Sequence, residues 1–256
     1  MKLATLVLTA FLGFGCAAKK MAAQNADVLL ENQIEKKLPL YSDQKKQLKS
    51  DVDKFLNDQK PLSKEAIKLI TSIELDAYKI DQQYDALNAI YSKLALNFTK
   101  VMSKYMSMLD EKQQKEFNEK LDEENKTLAK SKTEDRIEKL EDRFETLFGS
   151  ISDKQKELLA KQKSHISERH KIRVERREKL HEKFKEIFEM DLSREAKIDY
   201  FVEAFSNYQK NYPEAPKNKE IIKSIIPTLS AEQKEFFEEK TNDLKEIINY
   251  YLETDY

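Results

Sequence analysis

The chain has 256 residues, of which 36% are charged and 39% hydrophobic, and its formal net charge at pH 7 is −1. Mixed charges in this balance exclude a nucleic-acid-binding polycation, and a single cysteine excludes a disulfide within the chain. With 3 glycines and 5 prolines, the sequence has too few turn residues for a β-protein of this size. The predicted fold class is therefore all-α, an elongated antiparallel helical bundle with long coiled-coil-like helices.

The first predicted element is an export signal. Lys2 gives a positive start, and the apolar run over residues 3–14 is long enough for a signal peptide but too short to span a bilayer. Cys16 follows directly, and an apolar run that ends in Gly-Cys resembles the bacterial lipoprotein signal. We therefore predict a signal peptide over residues 1–15 and lipidation of Cys16, which would anchor the protein stably in a membrane. Ordinary secretory cleavage that leaves a free thiol is the alternative.

The longest predicted helix covers residues 63–108. Its apolar positions, from Ala66 to Met108, alternate steps of four and three residues, and no glycine or proline interrupts them. This spacing is the pattern of a coiled-coil seam, so we predict one continuous helix that packs against partners along its length.

The remaining elements are predicted from shorter apolar stripes and from the prolines. Further long segments are expected at residues 111–148, with a bend near 131–133, at 153–190 and at 231–252. Shorter helices fit residues 25–38, 43–57, 194–208 and 217–226. Two prolines interrupt residues 211–216, where a helix cannot continue. We expect a helical bundle domain over residues 16–210 and a C-terminal helical hairpin over residues 211–256 that packs on it.

A short phrase recurs at predicted helix starts. In its clearest copy, Ser152 is placed to cap the helix by accepting a backbone N–H, and Gln155 is placed to bond back to the N–H of the cap residue. This arrangement is a capping box. Gly149, just upstream, suits the left-handed end of the preceding helix. The stretch is therefore predicted to be a corner between two helices.

Three other copies of this box occur along the chain. The full arrangement recurs in Asp110 with Gln113 and in Ser230 with Gln233. In the first copy Gln44 is present, but Tyr41 occupies the cap position, so Ser42 is expected to cap the helix one residue later. The recurrence indicates either ordinary helix punctuation or punctuation together with a shared ancestry of the copies.

The recurring Ser/Thr-x-x-Gln phrase in an exported helical chain resembles the motif of the periplasmic Spy/CpxP proteins, which are small helical chaperones and stress regulators. The order of several pieces is closer to a family of Gram-negative all-helical lipoproteins without an established activity. Those pieces are Cys16 and residues 25–30, 40–44, 149–155 and 169–177. The resemblance spans residues 16–208. It implies a lipid-anchored protein of the outer membrane that faces the periplasm, with a soluble periplasmic protein as the alternative.

A basic helix is the strongest candidate for binding. Residues 161–185 contain ten Lys or Arg and four Glu, a local excess of +6 in a nearly neutral chain. Arg169, Arg173 and Arg176 follow the stepping of the inward-facing apolar positions, and Arg177 adjoins them. These four residues, the arginine row, either cover apolar surface with their stems and pair with Glu, or form a groove for an anionic partner. Lipid headgroups, cell-wall carboxylates and acidic polypeptides are such partners.

No catalytic, metal or cofactor site is predicted. The three histidines, His165, His170 and His181, lack a common face at metal-ligand spacing, and the sequence contains no Gly-rich phosphate loop or nucleophile elbow. The predicted function is non-catalytic binding by a lipid-anchored periplasmic protein, chaperone-like or linked to envelope stress. The alternative is a scaffolding lipoprotein that binds another envelope protein through its coiled-coil-like helix.

Overall fold

The computed structural model describes residues 16–210 and 219–256, except the side chains of residues 16–19 and 209–210. Over this part of the chain the all-α prediction is confirmed, because it holds helices and no β-strand. The predicted signal peptide, the proline break at residues 211–216 and the side chain of Cys16 lie outside the described residues. The helices are α1 (Cys16–Gln24), α2 (Ala26–Glu35), α3 (Ser42–Thr71), α4 (Ile80–Met106), α5 (Glu111–Lys130), α6 (Thr133–Phe148), α7 (Asp153–Lys161), α8 (Lys163–Glu189), α9 (Arg194–Lys210), α10 (Lys219–Ile225) and α11 (Ala231–Glu253), with a 3-10 turn over Ile226–Thr228.

The predicted continuous helix over residues 63–108 is wrong, and the helix predicted over residues 43–57 is longer than expected. Helix α3 passes through Pro61 and ends at Thr71, and α4 begins only at Ile80. Proline removes one backbone donor from a helix, and α3 continues past it while packed against α2, α4 and α11. Tertiary packing has therefore overridden the local helix breaker.

Side chains that bond to the backbone build the interruption between α3 and α4. The hydroxyls of Thr71 and Ser72 donate to carbonyl oxygens four and three residues earlier, at 2.8 and 3.0 Å. The Asp76 carboxylate accepts the N–H of Tyr78 at 2.9 Å, which is the bond of an Asx turn. These side-chain bonds compete with helical backbone bonds but leave the spacing of apolar residues unchanged. The heptad pattern therefore could not reveal the interruption.

Three further predicted boundaries can be compared with the structure. The bend near residues 131–133 is confirmed, because α5 ends at Lys130 and α6 begins at Thr133. The last helix, Ala231–Glu253, agrees with the predicted range 231–252. The segment predicted over residues 153–190 is divided at Gln162, which separates α7 from α8.

Two large apolar cores, and a smaller cluster around Ala23 and Ile247, hold the helices together. The first includes the buried residues Ile34, Leu38, Leu40, Leu48, Val52, Tyr105, Met106, Leu109, Phe184, Ile187 and Phe201. The second includes Ile80, Phe144, Phe148, Leu159, Ile221, Ile225, Ile226 and Leu229. Burial of each large apolar side chain contributes about 1.5–3 kcal/mol. Residues that directly precede the predicted boxes, such as Leu40 and Leu229, belong to these cores, so each core surrounds helix starts.

The last helix of each half of the chain packs against the other half. Helix α5 packs against α8, α11 packs against α3, and α4 and α9 pack against each other. Residues 16–130 and residues 133–253 therefore each contribute a final helix to the long helix of the other half. Helix α10 packs against α4 and α7. This packing between the two halves brings the four predicted capping boxes together in pairs.

A set of tyrosine contacts fastens helix α1, which packs against α11. The Tyr256 hydroxyl donates to the carbonyl oxygen of Ala23 at 2.5 Å, and the Asn57 side-chain amide donates to the carbonyl oxygen of Tyr256 at 2.8 Å. The Tyr251 hydroxyl donates to the carbonyl oxygen of Leu56. These contacts, the tyrosine clasp, tie α1 to α3 and α11.

Candidate functional site

The first pair of predicted boxes forms a closed hydrogen-bonded corner. Gln44 Oε1 accepts the N–H of Tyr41 at 2.8 Å, and Gln113 Oε1 accepts the N–H of Asp110 at 3.1 Å. The two amides also bond to each other, since Gln113 Nε2 donates to Gln44 Oε1 at 2.7 Å and Gln44 Nε2 donates to Gln113 Oε1 at 3.4 Å. Each Nε2 further donates to the carbonyl two residues before its partner's cap, at 2.6 and 3.0 Å.

The second pair repeats this arrangement bond for bond. Gln155 Oε1 accepts the N–H of Ser152 at 2.9 Å, and Gln233 Oε1 accepts the N–H of Ser230 at 3.0 Å. The two amides bond to each other at 2.9 and 3.0 Å. Each again donates to the carbonyl two residues before its partner's cap, at 3.2 and 2.8 Å. We call the two sites the glutamine corners, and their equivalence indicates that the chain is built from two similar halves.

The cap residues of the corners differ in one place. The side chains of Ser152, Ser230 and Asp110 accept the N–H three residues on, at 3.3, 3.2 and 2.8 Å. Tyr41 occupies the cap of α3 without a side-chain cap bond. The predicted cap at Ser42 is wrong, because the glutamine bonds back to the N–H of Tyr41 and Ser42 is already the first helical residue.

Gly149 ends helix α6 in the left-handed conformation that its sequence context predicts. Its φ is 77°, and its N–H donates to the carbonyl of Glu145 at 2.8 Å. A Cβ at this position would lie 3.0 Å from the ring of Phe236 on α11. Glycine is therefore needed here both for the backbone conformation and for the close approach of α11.

The glutamine corners build the fold. Gln113, Gln155 and Gln233 are 2%, 1% and 6% exposed, and a buried polar group left without a partner costs about 1–3 kcal/mol. Glutamine offers both a donor and an acceptor, whereas the Glu of an ordinary capping box offers only acceptors. The mutual pairing of amides across each corner therefore explains the recurrence of Gln at this position.

The four members of the arginine row have different surroundings in the structure. Arg177 Nη2 contacts Glu124 Oε2 at 3.1 Å, and its Nε donates to Asn125 Oδ1 at 2.9 Å, so this residue binds helix α5. Arg176 lines a groove between α8 and α9. Arg169 and Arg173 are half-buried, and neither has a hydrogen bond or ion pair with the part of the chain that the structure describes.

Two arginines of helix α6 extend this group across the contact between α6 and α8. Burial lowers the pKa of Arg136, and the positive charge of Arg173 lowers it further. Burial also lowers the pKa of Arg169, Tyr84 acts against this, and the charges of Arg173 and Arg143 add to the lowering. We call Arg136, Arg143, Arg169 and Arg173 the arginine cluster. Within it, the charge of a neighbouring arginine lowers the pKa of Arg136, Arg169 and Arg173.

Other elements border the arginine cluster. Burial lowers the pKa of Arg173, the hydroxyl of Tyr208 on α9 opposes this, and Arg177 and Arg143 lower it further. Arg136 Nη2 donates to the carbonyl of Ser131 at 2.5 Å, but its buried Nη1 has no partner among the described residues. The cluster therefore lies among α4, α6, α8 and α9, with tyrosine hydroxyls beside its guanidinium groups.

Sequence reasoning missed half of this cluster. Arg136 and Arg143 lie outside the basic segment of residues 161–185, so the local charge count did not include them. Their spacing of seven residues places them on one face of α6, and this was the signal that could have found them. The packing of α6 on α8, which brings the two arginine pairs together, was not predictable from the spacing.

Three carboxylates form a second charged group, between α2 and α3. Oxygens of Asp27, Glu31 and Asp53 lie within 4.8 Å of one another. Burial and then Asp27 raise the pKa of Glu31, while Lys49 lowers it. Acidic clusters are common on helix faces, so this group identifies no ligand.

His181 joins helices α8 and α5. It is 4% exposed, with Nε2 3.0 Å from Asn118 Oδ1 and Nδ1 3.2 Å from Asp122 Oδ1. Burial is the main cause that lowers its pKa; Lys185 lowers it further, and Asp122 opposes the shift. This histidine is a packed and hydrogen-bonded part of the interface between two helices.

No protein-family model, curated protein or solved structure matches the chain. Among the described helices, none combines the length and the apolar character that crossing a bilayer requires.

Proposed function

We propose that this chain is a non-catalytic binding protein, exported and anchored through a lipid on Cys16 at the periplasmic face of the outer membrane. It holds an anionic partner or client polypeptide at the arginine cluster, in a chaperone-like manner. The observation that carries the proposal is the half-buried pair Arg169 and Arg173, which meets no acidic side chain in the described ranges 16–210 and 219–256.

Partial burial of these charged side chains costs free energy. Removing a cation from water costs several kcal/mol unless an opposite charge meets it. The fold places Arg136, Arg169 and Arg173 so that the charge of a neighbouring arginine adds to the cost of each. Groups that oppose stability in this way are typical of functional sites, where a partner supplies the missing interaction.

The scaffolding alternative has less support. It requires a coiled-coil-like seam on residues 63–108 that is free to bind another protein. In the structure this segment is interrupted, and Ile80 and Tyr105 of the α4 seam are buried within the chain. The seam thus serves the internal contacts of α4 with α3 and α9.

The binding proposal is tested with a client-holding assay. The wild-type protein is expected to suppress aggregation of a urea-unfolded test protein after dilution. The charge reversals Arg169→Glu and Arg173→Glu together are expected to abolish the effect while helicity by circular dichroism stays unchanged. Lys64→Glu with Lys68→Glu is the matched control, because these exposed lysines have the same spacing and lie on α3. Equal loss in both variants, or no suppression by the wild type, would contradict the proposal.

The anchoring proposal is tested separately. Full-length protein with Cys16→Ala is expected to leave the membrane fraction and to lose incorporation of radiolabelled palmitate. Wild-type protein that stays unlabelled, or a variant that fractionates like the wild type, would contradict lipidation.

A further inference from the structure

The arginine cluster also indicates the chemistry of its partner. Resting on the proposed function, we infer that the cluster binds an acidic polypeptide segment, whose Asp or Glu side chains recur about one helical turn apart. Arg169 and Arg173 are four residues apart on α8, which places them about 6 Å apart along the helix axis. A segment whose acidic side chains have that spacing can place one carboxylate at each of the two guanidinium groups.

The neighbouring member of the row shows what such an arginine binds. Arg177, one turn beyond Arg173 on α8, pairs with the carboxylate of Glu124 on helix α5 and donates a further hydrogen bond to Asn125 Oδ1. Lys37 contacts the same carboxylate at 2.5 Å. Burial acts to raise the pKa of Glu124, but hydrogen bonds from these two cations outweigh it and the pKa is lowered. A carboxylate carried by a helix is thus the occupant that the chain itself supplies to this row.

Helix α5 supplies no carboxylate to the next two arginines. Its contacts Asn118 with His181 and Asn125 with Arg177 show that α5 runs antiparallel to α8. In the same register Arg173 lies level with Leu128, and Arg169 lies beyond the end of α5 at Lys130. The row therefore continues past its internal acidic partner.

The charge of the cluster fits an acidic segment. Guanidinium groups present planar pairs of donors that match carboxylates, and such charge-assisted bonds are stronger than neutral ones. The cluster offers four positive charges, three of them partly buried and that of Arg143 exposed, and the hydroxyls of Tyr84 and Tyr208 lie beside two of them. A partner with several negative charges on one chain therefore matches the cluster better than a single small anion does.

The test uses the wild-type protein and three synthetic peptides of equal length, in which Leu alternates with Glu, Gln or Lys. Isothermal titration is expected to rank the Glu peptide first, with an affinity that falls as salt is raised, because screening weakens exposed ion pairs. Inorganic phosphate and vesicles of phosphatidylglycerol are the comparison probes. Equal binding of the Glu and Gln peptides, or binding of vesicles without binding of the Glu peptide, would overturn the inference.

Substitution locates the site. Replacing Arg136, Arg143, Arg169 and Arg173 by Gln is expected to weaken binding of the Glu peptide about 30-fold or more. The control replaces four exposed lysines, Lys64, Lys68, Lys115 and Lys120, by Gln and removes the same charge. Equal loss in the two variants would overturn the site. If the arginine variant does not fold, the comparison of peptides on the wild type still decides the ligand class.

The client assay keeps the two proposals distinguishable. Suppression of aggregation without a preference for the Glu peptide would overturn the acidic ligand and leave the binding function in place. Failure of both assays would overturn both.

Discussion

The glutamine corners and the arginine cluster are both polar groups partly or fully withdrawn from water, yet they behave in opposite ways. At the corners each amide is met by another amide, by a cap N–H and by a backbone carbonyl. In the cluster Arg169 and Arg173 meet other cations and tyrosines, and no acid in the described part of the chain.

This contrast distinguishes polar groups that stabilise a helical fold from charged groups that are candidates for binding. The capping-box sequence recurs at the glutamine corners because the same hydrogen bonds are needed at each place where the two halves of the chain meet. Arg169 and Arg173 follow an inward stripe but lack the partners that buried charges need for stability. A repeated and satisfied group therefore stabilises the fold, whereas the unsatisfied charged group is where we propose that a partner binds.

The largest effect is expected at the corners. Gln113→Ala leaves the Gln44 amide, the cap N–H of Asp110 and a carbonyl without their partner, so the free energy of unfolding is expected to fall by about 3 kcal/mol or more. Urea unfolding followed by circular dichroism measures the change. The exposed Gln47→Ala is the control and is expected to stay within about 0.5 kcal/mol of wild type. Similar losses in the two variants would mean that the corner bonds add little.

A smaller loss is expected at the turn beside the second corner. Gly149→Ala introduces a Cβ 3.0 Å from the Phe236 ring at a φ of 77°, so unfolding is expected to require about 1–2 kcal/mol less free energy. Thermal or urea unfolding checks this value. A variant as stable as wild type would show that α6 and α11 can separate at this corner without cost, which would weaken the assignment of the corner as a rigid element.

The arginine cluster is expected to change stability in the opposite direction. Arg169→Met with Arg173→Met keeps the apolar stems and removes two crowded charges, so stability is expected to rise by about 0.5–1 kcal/mol. Binding of the Glu peptide is expected to weaken in the same variant. A clear loss of stability would show that these charges have internal partners, and the contrast with the corners would be lost.

The smallest expected effect is on pH dependence. The pKa of His181 is lowered below 6.5, chiefly by burial, so the unfolded chain takes up a proton more readily than the folded one. The stability contribution is therefore complete above pH 6.5 and declines as the pH falls below that value. His181→Asn is expected to reduce the decline between pH 7 and pH 5.5, as measured by urea unfolding at each pH. His170, whose pKa is also lowered, is expected to keep part of the dependence. An unchanged pH profile in the variant would contradict this assignment.

The sequence predicts helix starts and the fold class well, because capping residues and glycine-poor composition are local properties. The box at Ser152 and Gln155 and the bend near residues 131–133 are examples. It predicts continuity poorly, because the break between Thr71 and Ile80 depends on hydroxyl and Asx bonds that leave apolar spacing intact. The pairing of Gln44 with Gln113 and of Gln155 with Gln233 depends on crossing of the two halves, which no single segment contains. The same reason hid Arg136 and Arg143 from the predicted binding site.

The tyrosine clasp has a mechanical consequence. Because Tyr256 bonds to Ala23 and Asn57 bonds to Tyr256, a force applied at the start of α1 passes into α3 and α11 instead of extending a slack tether. A lipid on Cys16 would then hold the bundle close to the bilayer surface and restrict its rotation. With the proposed anchor in place, the distance of the arginine cluster from the bilayer would be set by the dimensions of the bundle.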